Sequence, residues 1–165
     1  MPPLLSLSTG EKPVKLPLLI SLAALTVPAT AMVAVAAAPV AVMKARHHNF
    51  ENMGRAMKVI FDQLRKGAPN FKVIQASANT LAASAPRVGS DFPTGSGPES
   101  GRKTDALPAI WERQAEFAKA AGQLVVTTKA LQAAAASGDL ARIKAAAGQA
   151  GSTCKGCHDQ FRKPH

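Results

Sequence analysis

Cys154-Lys155-Gly156-Cys157-His158-Asp159-Gln160-Phe161-Arg162 lies near the end of a 165-residue chain and contains both of its cysteines. A C-x-x-C-H run is the attachment signature of a c-type haem: the two thiols form thioethers with the vinyl groups and the adjacent imidazole ligates the iron. On a helix, positions three and four apart share a face, so Cys154, Cys157 and His158 can meet one flat macrocycle. The spacing therefore predicts a helix here with its reactive side turned inward. Other uses of the motif fit poorly. A zinc site needs a second ligand pair, which is missing. A thioredoxin-type dithiol sits beside a βαβ pattern, and no strand pattern is near. A disulfide over so short a loop would constrain almost nothing.

Outward from the motif, the rest of the chain reads as helices. Asp139 caps the last one, whose inner face carries Leu140, Ile143, Ala147, Ala150, Cys154, Cys157, His158 and Phe161. Ser137-Gly138 separates it from a third helix that is predicted to start near Asp105, with Thr104 and Asp105 as caps and Pro108 in the first turn. That helix's apolar face runs through Ile110, Trp111, Phe117, Ala121, Leu124, Val125, Thr128 and Leu131. A first helix is predicted from about Val40 to Lys66, striped by Phe50, Met53, Met57, Ile60 and Leu64. A second is predicted from about Asn70 to Ala85, with Phe71, Ile74, Ala78, Leu81 and Ala85 inward. Pro86 to Lys103 is rich in Gly, Pro and Ser and reads as a crossover loop, with Phe92 tucked onto the bundle. Its glycines do not have phosphate-loop spacing. Four long helices around a cofactor describe an all-α helical bundle.

Composition agrees. The chain has no tyrosine and few β-branched runs beyond its N-terminus. Twenty Lys and Arg against ten Asp and Glu give a net charge of +10. The cations are dispersed and there is one tryptophan for base stacking, so a solvated basic surface that steers an acidic partner is expected, and no nucleic-acid binding. Leu16 to Met43 carries no charge and follows a polar start with Glu11, Lys12 and Lys15. Its core Leu18-Leu19-Ile20-Ser21-Leu22-Ala23-Ala24-Leu25 suits a secretory leader, and Ala34-Val35-Ala36 suits its cleavage. Residues 1–36 are thus expected to be a cleaved signal peptide and 37–165 the mature domain. Losing Lys12, Lys15 and Glu11 leaves a charge of +9. The stretch is also long enough for a membrane anchor. Pro28, Pro39 and the alanine-rich second half favour processing, with no stable membrane insertion afterwards. Export into the periplasm suits covalent haem attachment, which takes place outside the cytoplasm.

The C-terminal segment quoted above, Pro108-Ala109-Ile110-Trp111, and Arg46-His47-His48-Asn49-Phe50 with Met53-Gly54 together resemble the cytochrome c prime family of class II c-type cytochromes. The resemblance spans about residues 40 to 165. It implies an antiparallel four-helix bundle with one covalently bound haem c near the C-terminus, commonly as a homodimer through the first two helices. It also implies a five-coordinate, high-spin iron. Mapped onto this chain, Cys154 and Cys157 hold the vinyls and His158 is the single protein ligand. Arg162 lies on the proximal side, and Arg46 faces a propionate. His47 and Asp105 line the haem edge, while Phe50 covers the distal face. Low-spin relatives carry a methionine near the place of Phe50, and a phenyl ring cannot ligate iron.

The residues themselves agree in part. No methionine follows His158, which excludes the class I arrangement of axial ligands. Met53 and Met57 fall on the apolar stripe and are read as core packing. His47 and His48 are neighbours, so at most one faces inward. Two functions follow: periplasmic electron transfer, and binding of nitric oxide or carbon monoxide at a sterically gated distal site. The carboxylates are scattered, without a nucleophile–base pair, so no enzymatic activity is expected.

Overall fold

The computed structural model describes the backbone of residues 31–164 and the side chains of residues 40–164. The expected signal peptide, residues 1–36, falls outside the residues with described side chains. Helix α1 spans Ala31–Leu64, α2 Phe71–Ser84, α3 Ala109–Glu112, α4 Gln114–Ser137 and α5 Leu140–Phe161. Two single 3₁₀ turns, Ala85–Arg87 and Pro98–Ser100, punctuate the crossover loop. The described residues contain no strand. The protein is an all-α antiparallel four-helix bundle in which α1 packs on α2, α2 on α4, α4 on α5, and α5 returns to α1.

The helix ends have local causes. Asn70 takes extended backbone and its side chain accepts from Val73 N–H, which starts α2. Gln63, buried on α1, accepts from Asn70 N–H and seals the intervening turn. Gly138, at φ +69°, ends α4 in the left-handed conformation that a side chain resists. Asp139 then accepts from the Ala141 and Arg142 N–H groups at 2.9 and 3.1 Å and starts α5. Ile60, Ile74, Leu131 and Ile143 are fully buried and form the centre of the core. Gly151 of α5 lies against α1: a Cβ there would stand 3.4 Å from the Phe61 ring.

Three features differ from expectation. The first helix already runs from Ala31, the first described residue, ahead of the expected Val40, because the alanine-rich segment before Val40 is a strong helix former. Phe71 is half exposed rather than inward, because the Asn70 cap makes it the first helical residue, a turn before the core. The third helix does not start at Asp105. Residues 104–107 run extended beside the end of α5: Leu107 N–H donates to Phe161 O at 3.0 Å, and Lys163 N–H to Asp105 O at 2.8 Å. The last carbonyls of a helix lack intrahelical partners, and this pairing satisfies that of Phe161. Helix α3 is then a single turn opened at Pro108, and the chain breaks at Arg113 before α4 begins.

Candidate haem cleft

Between α1 and α5 the bundle opens into a cleft of about 890 Å³. That lies in the upper range for small-molecule and cofactor sites. All eight residues singled out from the sequence line it: Arg46, His47, Phe50, Asp105, Cys154, Cys157, His158 and Arg162. The sequence places them on three segments, the first and last more than a hundred residues apart, and the fold brings them to one cavity.

Helix α5 presents Cys154, Cys157 and His158 half-buried on its inner face. Both cysteines are free. Burial pushes the Cys154 thiol above its ordinary range, and burial, then the neighbouring Cys154, does the same to Cys157. The sulfurs are therefore held as neutral thiols in the folded chain at neutral pH. Among the described residues no three His, Cys, Asp or Glu gather around a point that could hold a bare metal ion. Two thiols and an imidazole set along one wall of a large, mainly apolar cleft suit a macrocycle instead.

The opposite wall is carbon-rich. Helix α1 contributes Phe50, Met53 and Met57, α2 Leu81, the crossover loop Val88 and Phe92, and α4 Phe117 and Leu124. Phe50 meets Phe92 edge-on with centroids 6.0 Å apart, Phe92 meets Phe117 at 5.0 Å, and Phe117 meets Phe161 at 5.3 Å. This aromatic ladder crosses from α1 to α5 through the loop.

Arg46 is buried, and its guanidinium does two things. It stacks over the Phe92 ring, 4.4 Å from the centroid. Its terminal nitrogens also pin the crossover loop: Nη1 donates to Ser96 Oγ at 3.1 Å and Asp91 O at 3.4 Å, and Nη2 to Ser96 O at 2.9 Å and Thr104 Oγ1 at 3.3 Å. Four donated bonds use the four N–H groups of the two terminal nitrogens. The two-bond grip on a propionate that the sequence suggests is not open to Arg46 while these bonds stand; its Nε–H is the remaining donor. Burial pulls the Arg46 pKa down and Asp91 and Glu99 oppose this, but an arginine stays charged.

The mouth is charged. His47 is well exposed and lies 3.4 Å from Glu51, which also stands 3.6 Å from His48. Lys103, Asp105 and Arg162 are exposed and line the opening. The antiparallel backbone pairing of Ala106 with Arg162 sets Lys163 beside Asp105 there, with its N–H donating to Asp105 O and its Nζ to Thr104 O. Phe92, Phe117 and Lys103 are cleft residues that sequence reasoning did not assign to the site. An isolated phenylalanine in a loop otherwise built of Gly, Pro and Ser was the available signal for Phe92.

The sequence profile of the family described as Cytochrome C′ matches residues 41–162. A cytochrome c′ of Rubrivivax gelatinosus is 45% identical over 69 residues, which cover 42% of this chain and 54% of that protein. A cytochrome c′ of Pararhodospirillum photometricum is 31% identical over 77% of this chain and 100% of its own length. Among solved structures, the cytochrome c′ of Thermochromatium tepidum superposes with a TM-score of 0.72 at 29% identity, covering 76% of this chain and 97% of its own. A nitric oxide complex of a mutant cytochrome c prime from Alcaligenes xylosoxidans gives 0.68 at 28% identity, with 76% and 97% covered.

Proposed function

The chain belongs to the cytochrome c′ family, whose members bind haem c, and from that premise we propose that it binds a small neutral gas such as nitric oxide or carbon monoxide at a gated apolar face. Haem c would supply a redox-active iron with a coordination position for such a ligand. Cys154 and Cys157 would hold the group covalently, and His158 would be its single protein ligand. The last two turns of α5 carry all three, and Arg162 continues that wall on the proximal side.

One observation carries the reading: apart from Arg46, whose terminal nitrogens are committed to the loop, and the charged mouth at His47 and Glu51, α1 lines the cleft with Phe50, Met53 and Met57, with Phe92 beside them. Such a surface gives water and anions no hydrogen bond and would leave them desolvated, whereas a diatomic gas has little hydration to lose. Phe50 is the gate, since it is half-buried at the cleft and must turn aside to admit a ligand. Met53 is buried in the core, in keeping with a packing role for it. The nitric oxide complex of the similar Alcaligenes xylosoxidans mutant supports the same chemistry.

A second reading, electron transfer with a five-coordinate iron, draws support from the cationic mouth. Lys103 and Arg162 line the opening, and a chain of net charge +10 attracts an acidic redox partner. His47 and Asp105 stand at the same edge. The chain acts after export to the periplasm and loss of residues 1–36. No helix among the described residues is long and apolar enough to cross a membrane. It pairs as a homodimer through α1 and α2, where Arg55, Ala56, Val59, Ala76 and Ser77 are among the residues that line a shallow concavity.

The test is the absorption spectrum of the purified reduced protein, with and without carbon monoxide or nitric oxide. A broad Soret band that shifts on adding gas is the expected result. Sharp α and β bands that ignore gas would mean a second protein ligand and would leave electron transfer as the function.

A further inference from the structure

We propose that Phe92, on the crossover loop, is the positioning residue that holds the Phe50 gate shut, and that Arg46 fixes Phe92 in turn. The inference rests on the reading of Phe50 as a gate and names what sets its resting position.

Phe50 sits on the cleft side of α1 with one face toward the cavity. Its aromatic neighbour is Phe92, edge-on at 6.0 Å and 64° between planes. Phe92 is itself held from three further sides. The Arg46 guanidinium covers it at 4.4 Å, Phe117 meets it edge-on at 5.0 Å, and Trp111 does so at 6.1 Å. Its backbone is tied as well: Trp111 Nε1–H donates to Phe92 O at 3.1 Å and to Pro93 O at 3.2 Å. Arg46 and Phe50 are one turn apart on α1, so one helix carries both the gate and the cation that anchors its stop. A half-buried ring turns only if its neighbour yields, and here the neighbour is clamped by a cation, two rings and an indole N–H shared between the carbonyls of Phe92 and Pro93. The loop that sequence reasoning treats as a connection thereby becomes part of the distal wall.

The experiment measures carbon monoxide association with the reduced holoprotein by flash photolysis. It compares the unaltered protein, Phe92→Leu, Phe50→Ala and the double variant. Leucine keeps the site apolar but removes the edge-on contact, whose loss is expected to speed association about 2- to 10-fold. In the Phe50→Ala background the same change is expected to do nothing further, because there is no ring left to restrain. A role of Phe92 in packing alone would change the rate by the same factor in both backgrounds, and that result overturns the inference. So does an unchanged rate in Phe92→Leu while Phe50→Ala is fast. If Phe50→Ala itself leaves the rate unchanged, the gate reading fails and the inference falls with it. A readout independent of gas is the crystal structure of Phe92→Leu holoprotein. A Phe50 ring spread over two rotamers supports the proposal, and a single ring in its original place counts against it. Should Phe92→Leu fold poorly, Phe92→Met supplies the same comparison.

Discussion

Replacing Arg46 with methionine tests whether the crossover loop is held from inside the bundle. Methionine keeps much of the aliphatic bulk and removes the guanidinium. Four hydrogen bonds are lost, to Ser96 Oγ, Ser96 O, Asp91 O and Thr104 Oγ1. Ser96 is fully buried, so its carbonyl cannot turn to water once abandoned. A buried acceptor left unsatisfied costs about 1–3 kcal/mol. The lost stacking on Phe92 adds roughly 1 kcal/mol. The buried Asp91 carboxylate also loses a nearby cation, although Asn49 Nδ2 still donates to it at 2.9 Å and Arg87 stands 3.8 Å away. Together these give a destabilisation of about 3–5 kcal/mol, the range seen when one partner of a buried charged pair is removed. Guanidinium-chloride unfolding followed by far-UV circular dichroism measures it as a lowered midpoint. Limited proteolysis adds a local readout, with new cleavage expected between Val88 and Lys103. Arg46→Lys should lose nearly as much, because one ammonium cannot span acceptors on residues 91, 96 and 104. A loss below about 1 kcal/mol, with the loop still resistant to protease, would refute the argument that this arginine is committed to the loop.

Phe50→Ala should raise the association rate of carbon monoxide or nitric oxide, measured by stopped flow, because the steric block is removed; an unchanged rate would discount Phe50 as the gate. His158→Ala should abolish normal iron coordination, seen as loss of the native Soret spectrum, while mass spectrometry still finds the covalent adduct on Cys154 and Cys157. Gly97→Ala should cost about 1–3 kcal/mol and shift the fluorescence of the single tryptophan, since a Cβ would stand 2.8 Å from the Trp111 ring and also strike the Glu99 carboxylate. Asp139→Ala should cost about 1 kcal/mol in thermal or chemical unfolding, because two N–H groups at the start of α5 lose their acceptor.

The haem-attachment segment and the helices were legible because their signals are local. Two cysteines and a histidine at three- and four-residue spacing fix one face of a helix wherever that helix packs. The stripe Phe50, Met53, Met57 and Ile60 carries its period without reference to the rest of the chain. Asn70 and Asp139 cap helices through bonds to residues two and three positions on, so their roles could be read in place. The same locality limits such reading. Residues 104–108 hold capping chemistry and a proline, and by themselves they announce a helix. Only the fold shows that the open carbonyl at the end of α5 competes for the Leu107 N–H and wins.

What the sequence by itself determined was which segments are helical, which faces are apolar and which residues offer sulfur and imidazole. The tertiary structure decided what those faces meet. Arg46 reads as a partner for a propionate until Ser96, fifty residues away, is brought to its guanidinium. Phe92 reads as a loop ring tucked onto the bundle, and only the fold names Phe50, Phe117 and Trp111 as the rings that close around it. The physical reason is range. Helical periodicity and capping act within a turn or two of the chain, whereas burial of a cation and the wall of a cleft depend on segments whose separation along the chain carries no trace of their contact.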